Sequence, residues 1–291
     1  NYEVVQRELE GTDGHYFQQV RAMSLVQCIV STDFIFLYIA FVANVVPLLM
    51  FVPQVSDMAR KVWLLSNDEL NAMLLKAYGA NILGRFTAPL VSDGLMRLLY
   101  ANPAFMRKAV FQSLLAIQFL ALALIGHSIT DARRIQWLAC ALTFCSGGGL
   151  AVMPCFITDM FGVYHSGTMY GLILTGYSLG GVVVGYTSAA VDISYATLER
   201  QVNLLAILVT VGCVLMFLVR TNSMDRFFLG YQYSVCGKIL VQVPFYNPNI
   251  VRDTCIDDGV PVLTSTTTHP AEFSLWDRDL DGAMYGIGMD E

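Results

Sequence analysis

Residues Phe34 to Val52 form a run of nineteen side chains without a single charge. A helix rising about 1.5 Å per residue crosses the hydrocarbon of a bilayer in about twenty residues, so this run is long enough to span one. Ser31-Thr32-Asp33 supply helix-cap residues in front of it, and Pro47 and Pro53 are expected to break the helix toward its end. Five further segments have the same character: Leu70 to Ser92, which carries Lys76 and Arg85, then Ala109 to Gly126, Ile135 to Ile157, Thr168 to Val191 and Asn203 to Val219. Short loops between them require antiparallel neighbours. The expected fold is an all-α membrane protein with six transmembrane helices, half of a larger bundle, followed by a mostly non-helical tail.

Composition agrees. Hydrophobic residues make up 55% of the chain and charged residues only 14%, against about a quarter in soluble globular proteins. Mean hydropathy is +0.55. The net charge of −6 is local: residues 1 to 221 hold 13 basic and 13 acidic side chains, whereas 222 to 291 hold 4 and 10. An acidic tail on an apolar body gives nucleic acid nothing to bind. Lys and Arg fall evenly on the two sides of the bundle, so the positive-inside rule favours neither orientation.

Three regions follow: a polar or interfacial segment (1–30), a six-helix bundle (31–221) and an acidic extramembrane tail (222–291). In the tail, Tyr231 to Val235 and Lys238 to Phe245 have β-like content. So polar a segment builds little core of its own, and neighbouring membrane subunits are expected to hold it. Asn1 rather than Met opens the sequence, as in a processed or partial chain. With the expected role in an assembly, this suggests a multi-pass protein of the mitochondrial inner membrane.

Glycine is abundant inside the apolar runs rather than between them. Gly147, Gly148 and Gly149 are consecutive, and Gly176, Gly180, Gly181 and Gly185 share the fifth span. In lipid, small residues let helix backbones approach closely, and these seven are expected to be packing positions.

The order of several short motifs resembles the C-terminal six-helix half of a major facilitator superfamily transporter, in its oxalate/formate antiporter-like branch. The residues are Asn81-x-x-Gly84-Arg85, Ser92-Asp93-x-x-x-Arg97, the glycine run ending in Pro154, Asp159-Met160-Phe161-Gly162, Tyr170-Gly171 and Gly180-Gly181, and the similarity covers residues 31 to 219. It implies that Arg85 faces a central cavity and pairs with a carboxylate, with Asn81 beside it. An arginine in a membrane helix is costly unless it meets water, a counter-ion or a substrate, and its planar fork suits a carboxylate. The resemblance places a second cation where this chain has Tyr177. A neutral phenol there argues against a dicarboxylate such as oxalate and leaves a monocarboxylate, another substrate, or none. Ser92, Asp93 and Arg97 are implied to be the loop motif that ties helix ends and controls rocking between two halves.

No Gly-x-Ser-x-Gly elbow, phosphate-binding loop or His-Glu-x-x-His motif is present, and neither enzymatic activity nor a cofactor or metal is expected. The seven cysteines lack metal-ligand spacing. The expected role is that of a transporter-derived half-bundle acting as an accessory or structural subunit of a larger membrane assembly. Its partners would be the lipid bilayer and subunits contacting the helices and residues 222–291. The alternative is a secondary transporter of small organic anions, formate/oxalate-like or monocarboxylate, whose second six-helix half comes from another chain or a second copy.

Overall fold

The computed structural model describes residues 25–61, 63–99, 102–128, 132–163, 165–189, 195–221, 230–235, 238–244, 250–253 and 262–265. Two compact units divide the chain. Ser24–Val219 contains the described helices, and Arg220–Glu291 with Asn1–Met23 contains the described strands.

The helices are α1 (Leu25–Val30), α2 (Thr32–Lys61), α3 (Asn67–Leu99), α4 (Pro103–Ser128), α5 (Ala132–Phe161), α6 (Ser166–Ala189) and α7 (Tyr195–Leu218). Four stretches are long and apolar enough to cross a membrane, Thr32–Lys61, Pro103–Ile125, Ala132–Phe161 and Ala196–Leu218, as an all-α integral membrane protein requires. Helices α3 and α6 have 33 and 24 residues. The apolar character of α3 is interrupted by Lys76, Arg85, Asp93 and Arg97.

Local chemistry sets the helix ends. Ser31 accepts the Phe34 N–H at 3.2 Å and donates to the Cys28 carbonyl at 2.7 Å, closing α1 and opening α2 with one hydroxyl. Ser66 and Glu69 form a reciprocal capping box at α3: the Ser66 N–H donates to Glu69 Oε2 at 3.0 Å, and the Glu69 N–H to Ser66 Oγ at 3.3 Å. Asn102 accepts the Ala104 N–H at 2.9 Å in front of α4, with Pro103 at the first helical position. Gly162, at φ 79°, ends α5 and returns its N–H to the Thr158 carbonyl at 2.9 Å.

The expected breaks at Pro47 and Pro53 do not occur: α2 runs through both to Lys61. Proline deprives a helix of a donor and pushes its own preceding turn aside, but neighbouring helices can satisfy the carbonyls thus freed. The donor that Pro47 lacks would have served the Ala43 carbonyl; one residue on, the Asn44 carbonyl accepts from Gln118 Nε2 on α4 at 2.9 Å and from Ser146 Oγ on α5 at 2.8 Å, which ties this turn to both neighbours.

Helix α5 is the hub of the bundle, packing most extensively on α3, then on α4 and α2; α2 also packs on α6 and α7. Three consecutive residues of α5 explain how. Successive side chains point about 100° apart, so Gly147, Gly148 and Gly149 face different neighbours. A Cβ on Gly147 would strike the Asn81 carbonyl of α3, one on Gly148 would crowd Ala88 of α3 and Leu114 of α4, and one on Gly149 would strike Asn44 Oδ1 of α2. Gly176 and Gly180 of α6 sit against Val42 and Val46 of α2. Gly181 has open space around it, and Gly185 lies outside the residues whose surroundings are described.

In the other unit, β1 (Gly230–Val235) and β2 (Lys238–Pro244) pair antiparallel with an irregularity after Tyr233, and β3 (Ile250–Asp253) pairs antiparallel with β4 (Val262–Ser265). The first hairpin falls where the β-like content of the tail placed it. Arg220 lies over the Tyr231 ring, 5.0 Å from its centre, a cation–π contact within this unit.

Candidate anion site on helix α3

The buried residues of α3 are Leu70, Met73, Ala77, Asn81, Gly84, Ala88 and Ser92, one stripe at spacings of three and four. That stripe faces α5, and Gly84 is pressed so closely on Phe144 that a Cβ would meet its carbonyl. The opposite face carries exposed Leu75, Ile82, Leu83, Phe86 and Leu90, and exposed Arg85 stands at the edge of the buried stripe, one turn from Asn81.

Arg85 is therefore a mid-helix guanidinium at the exposed edge of the α3–α5 seam. Its Nε donates to Asn81 Oδ1 at 3.1 Å, one turn earlier on α3. Asn81 is 8% exposed, and its Nδ2 donates to the Thr143 carbonyl of α5 at 2.9 Å. Among the described residues the guanidinium has no further hydrogen bond, leaving four of its five N–H groups unused. Tyr170 on α6 lies within reach of its charge. Tyr177 is 39% exposed on α6, two turns and about 10 Å beyond Tyr170 on the same helical face. Two residues before Tyr177, Thr175 shares a 3.1 Å hydrogen bond with the Tyr38 hydroxyl of α2.

The structure joins Arg85 to Asn81 by a hydrogen bond along α3. Tyr170 is seven residues before Tyr177, which puts both on one face of α6. Lys76 is exposed on α3 and forms no part of this cluster.

The implied loop motif is arranged differently from its sequence order. Arg107, near the start of α4, pairs through Nη2 with Asp93 of α3 at 2.5 Å and through Nε with Asp159 of α5 at 3.3 Å, and its Nη1 donates to Ser92 Oγ. Ser92 is fully buried and Arg107 is 8% exposed. One cation therefore bridges three helices at the end where α3 and α5 finish and α4 begins. Arg97 is exposed and makes no ion pair among the described residues. The base that matters here was missed because it stands fourteen residues from Asp93, across a turn; its signal was Asn102-Pro103, which starts α4 and fixes the face on which Arg107 falls. Next to it, Lys108 donates to the Phe217 and Val219 carbonyls at 2.7 and 2.6 Å, a cation at the C-terminus of α7.

Among the described residues no group of three His, Cys, Asp or Glu is placed to hold a metal ion. The chain matches no protein-family model and no curated protein sequence.

Proposed function

We propose that this chain supplies a six-span half-bundle of the major facilitator type to a secondary transporter of small organic anions, with Arg85 as the anion contact. The observation that carries the proposal is the state of Arg85. A guanidinium at mid-helix, exposed and with four donors unused, is costly in hydrocarbon and is stabilised by an anion or water-lined pathway. The motif order, the glycine-packed hub and the Arg107 clamp at the helix ends support the same reading. One cation, with a neutral phenol at Tyr177 where the resemblance has a second cation, suits a monocarboxylate better than a dicarboxylate. Substrate sites of such transporters lie at the midplane between two six-helix halves, so a second half would cover the Arg85 face.

The test is uptake of labelled formate and acetate by vesicles reconstituted with the native particle that contains this chain. Uptake that saturates and is lost in Arg85→Gln, with the particle still assembled, is the expected outcome. Unchanged uptake in Arg85→Gln would remove Arg85 from the pathway. Absence of uptake, with the chain always recovered among many unrelated membrane subunits, would instead make it an accessory subunit of a larger assembly such as those of the mitochondrial inner membrane.

A further inference from the structure

We propose that Asn81 is a positioning residue that engages Nε of Arg85, so that a carboxylate is bound end-on by the two Nη groups. The inference rests on the reading of Arg85 as an anion contact and refines it.

The orientation of Asn81 follows from its surroundings. Its amide lies between an acceptor that can only accept, the Thr143 carbonyl at 2.9 Å, and a donor that can only donate, Arg85 Nε at 3.1 Å. Only one amide orientation satisfies both, with Nδ2 toward α5 and Oδ1 toward the guanidinium. The anchor is itself fixed. The Thr143 hydroxyl donates to the Ala77 carbonyl at 2.8 Å, and Gly147 lacks the Cβ that would strike both the Asn81 carbonyl and its Nδ2. Asn81 is thereby a link between the rigid α3–α5 seam and a charged group at its exposed edge.

A guanidinium offers a carboxylate two forks, one through Nε with the nearer Nη and one through the two Nη groups. Asn81 occupies Nε, which removes the first. The remaining fork points its pair of donors away from the helix that holds it, and its long stem is already ordered before any anion arrives. An arginine held in this way binds more tightly than a free one by the entropy of one immobilised side chain. The ligand class follows: a compact carboxylate approaching along the axis of the guanidinium, with formate and acetate the smallest probes.

The experiment is ¹⁵N spectroscopy of the guanidinium groups in the full chain in lipid nanodiscs, with Arg85 assigned by the loss of its signals in Arg85→Lys. Before any anion is added, the Arg85 Nε–H should exchange with solvent more slowly than that of exposed Arg97, and Asn81→Ala should abolish the difference. Sodium formate should then move the Arg85 Nη signals and leave Nε in place, with affinity falling roughly fivefold in Asn81→Ala. Thr143→Val is the control: it removes the Thr143–Ala77 hydrogen bond and keeps the carbonyl that holds Asn81. It should lower stability while preserving slow Nε exchange and the formate response.

Fast Nε exchange in the native chain, or no change in Asn81→Ala, would overturn the positioning role. A formate shift that includes Nε would overturn end-on binding. Loss of formate response in Thr143→Val equal to that in Asn81→Ala would reduce Asn81 to a structural part of the seam. A slow Nε that depends on Asn81, with no formate response at all, would leave the Asn81–Arg85 bond standing and overturn the anion site.

Discussion

Asn44 and Asn81 are both buried asparagines near the middle of long helices, and both lean on α5. What lies beyond them differs. Asn44 Nδ2 donates to Gln118 Oε1 at 2.9 Å, Gln118 donates to Ser146 Oγ at 2.9 Å, and Ser146 donates back to the Asn44 carbonyl at 2.8 Å. This is a closed ring among α2, α4 and α5, and all three side chains are at most 2% exposed. Its one unpaired atom, Asn44 Oδ1, faces Gly149 at the place where any other residue would carry a Cβ. The Asn81 chain is open: it runs from Thr143 through Asn81 to Arg85 and ends at an exposed guanidinium. A polar group in a membrane bundle is stabilised by a partner, and where its partners are found separates the two uses. The closed ring holds helices together, while the open chain ends at the exposed edge of the bundle.

The largest effects should separate the two at the glycines. Gly147→Ala drives a methyl into the backbone of α3 at Asn81, which no side-chain movement relieves, and should cost about 3 kcal/mol or more. Gly149→Ala meets only the Asn44 side chain. In an Asn44→Ala background the same methyl should cost less than about 1 kcal/mol, a coupling read by a double-mutant cycle of thermal or denaturant unfolding in micelles. Equal costs of Gly149→Ala in both backgrounds would show that the two asparagines are not held differently.

Next in size is the contrast between Gln118 and Arg85. Gln118→Leu opens the closed ring and leaves Asn44 and Ser146 without their shared partner, lowering stability by about 1–2 kcal/mol. Arg85→Gln should change stability by less than about 0.5 kcal/mol, because the group it removes ends the open chain. A destabilisation by Arg85→Gln as large as that by Gln118→Leu would make the open chain a structural device.

The smallest effect concerns the helix starts. The Ser66 N–H and then the Ser66 hydroxyl hold the Glu69 carboxyl below its ordinary pKa of 4.5, at a fully exposed site in the first turn of α3. A carboxyl whose folded pKa is depressed stabilises fully above its ordinary value and loses that contribution as pH falls through the lower, folded one. Hydrogen-exchange protection in the first turn of α3 should therefore fall below about pH 4.5 and be insensitive to pH in Glu69→Gln. The first turn of α4, capped by neutral Asn102, should show no such loss.

How much of this was legible follows from the range over which each signal acts. The apolar runs located the helices, because length and hydropathy are properties of a single segment. The joining of Asn81 to Arg85 was legible for the same reason, since four residues make one helical turn. Pro47 was misread as a break because the bonds that hold the turn before it, from Gln118 and Ser146 to the Asn44 carbonyl, come from more than seventy residues away. Asp93 was expected to bind a neighbouring helix end, but that its partner is Arg107 of the next helix was not legible. Pairings between helices depend on rotation about each helix axis, which one sequence leaves free. The capping box at Ser66 and Glu69, by contrast, is written in four adjacent residues.

The glycine run of α5 has a consequence for inheritance. Every missense change of a glycine codon introduces a Cβ, and at Gly147, Gly148 and Gly149 that atom meets α3, the α3–α4 side and α2 in turn. Variation in these codons should therefore be mostly synonymous, while the exposed positions of α3 drift. A survey of natural alleles would find the Gly147 codon, where a Cβ meets backbone, the least variable in protein sequence, and the Gly148 and Gly149 codons, where it meets side chains, less strictly held.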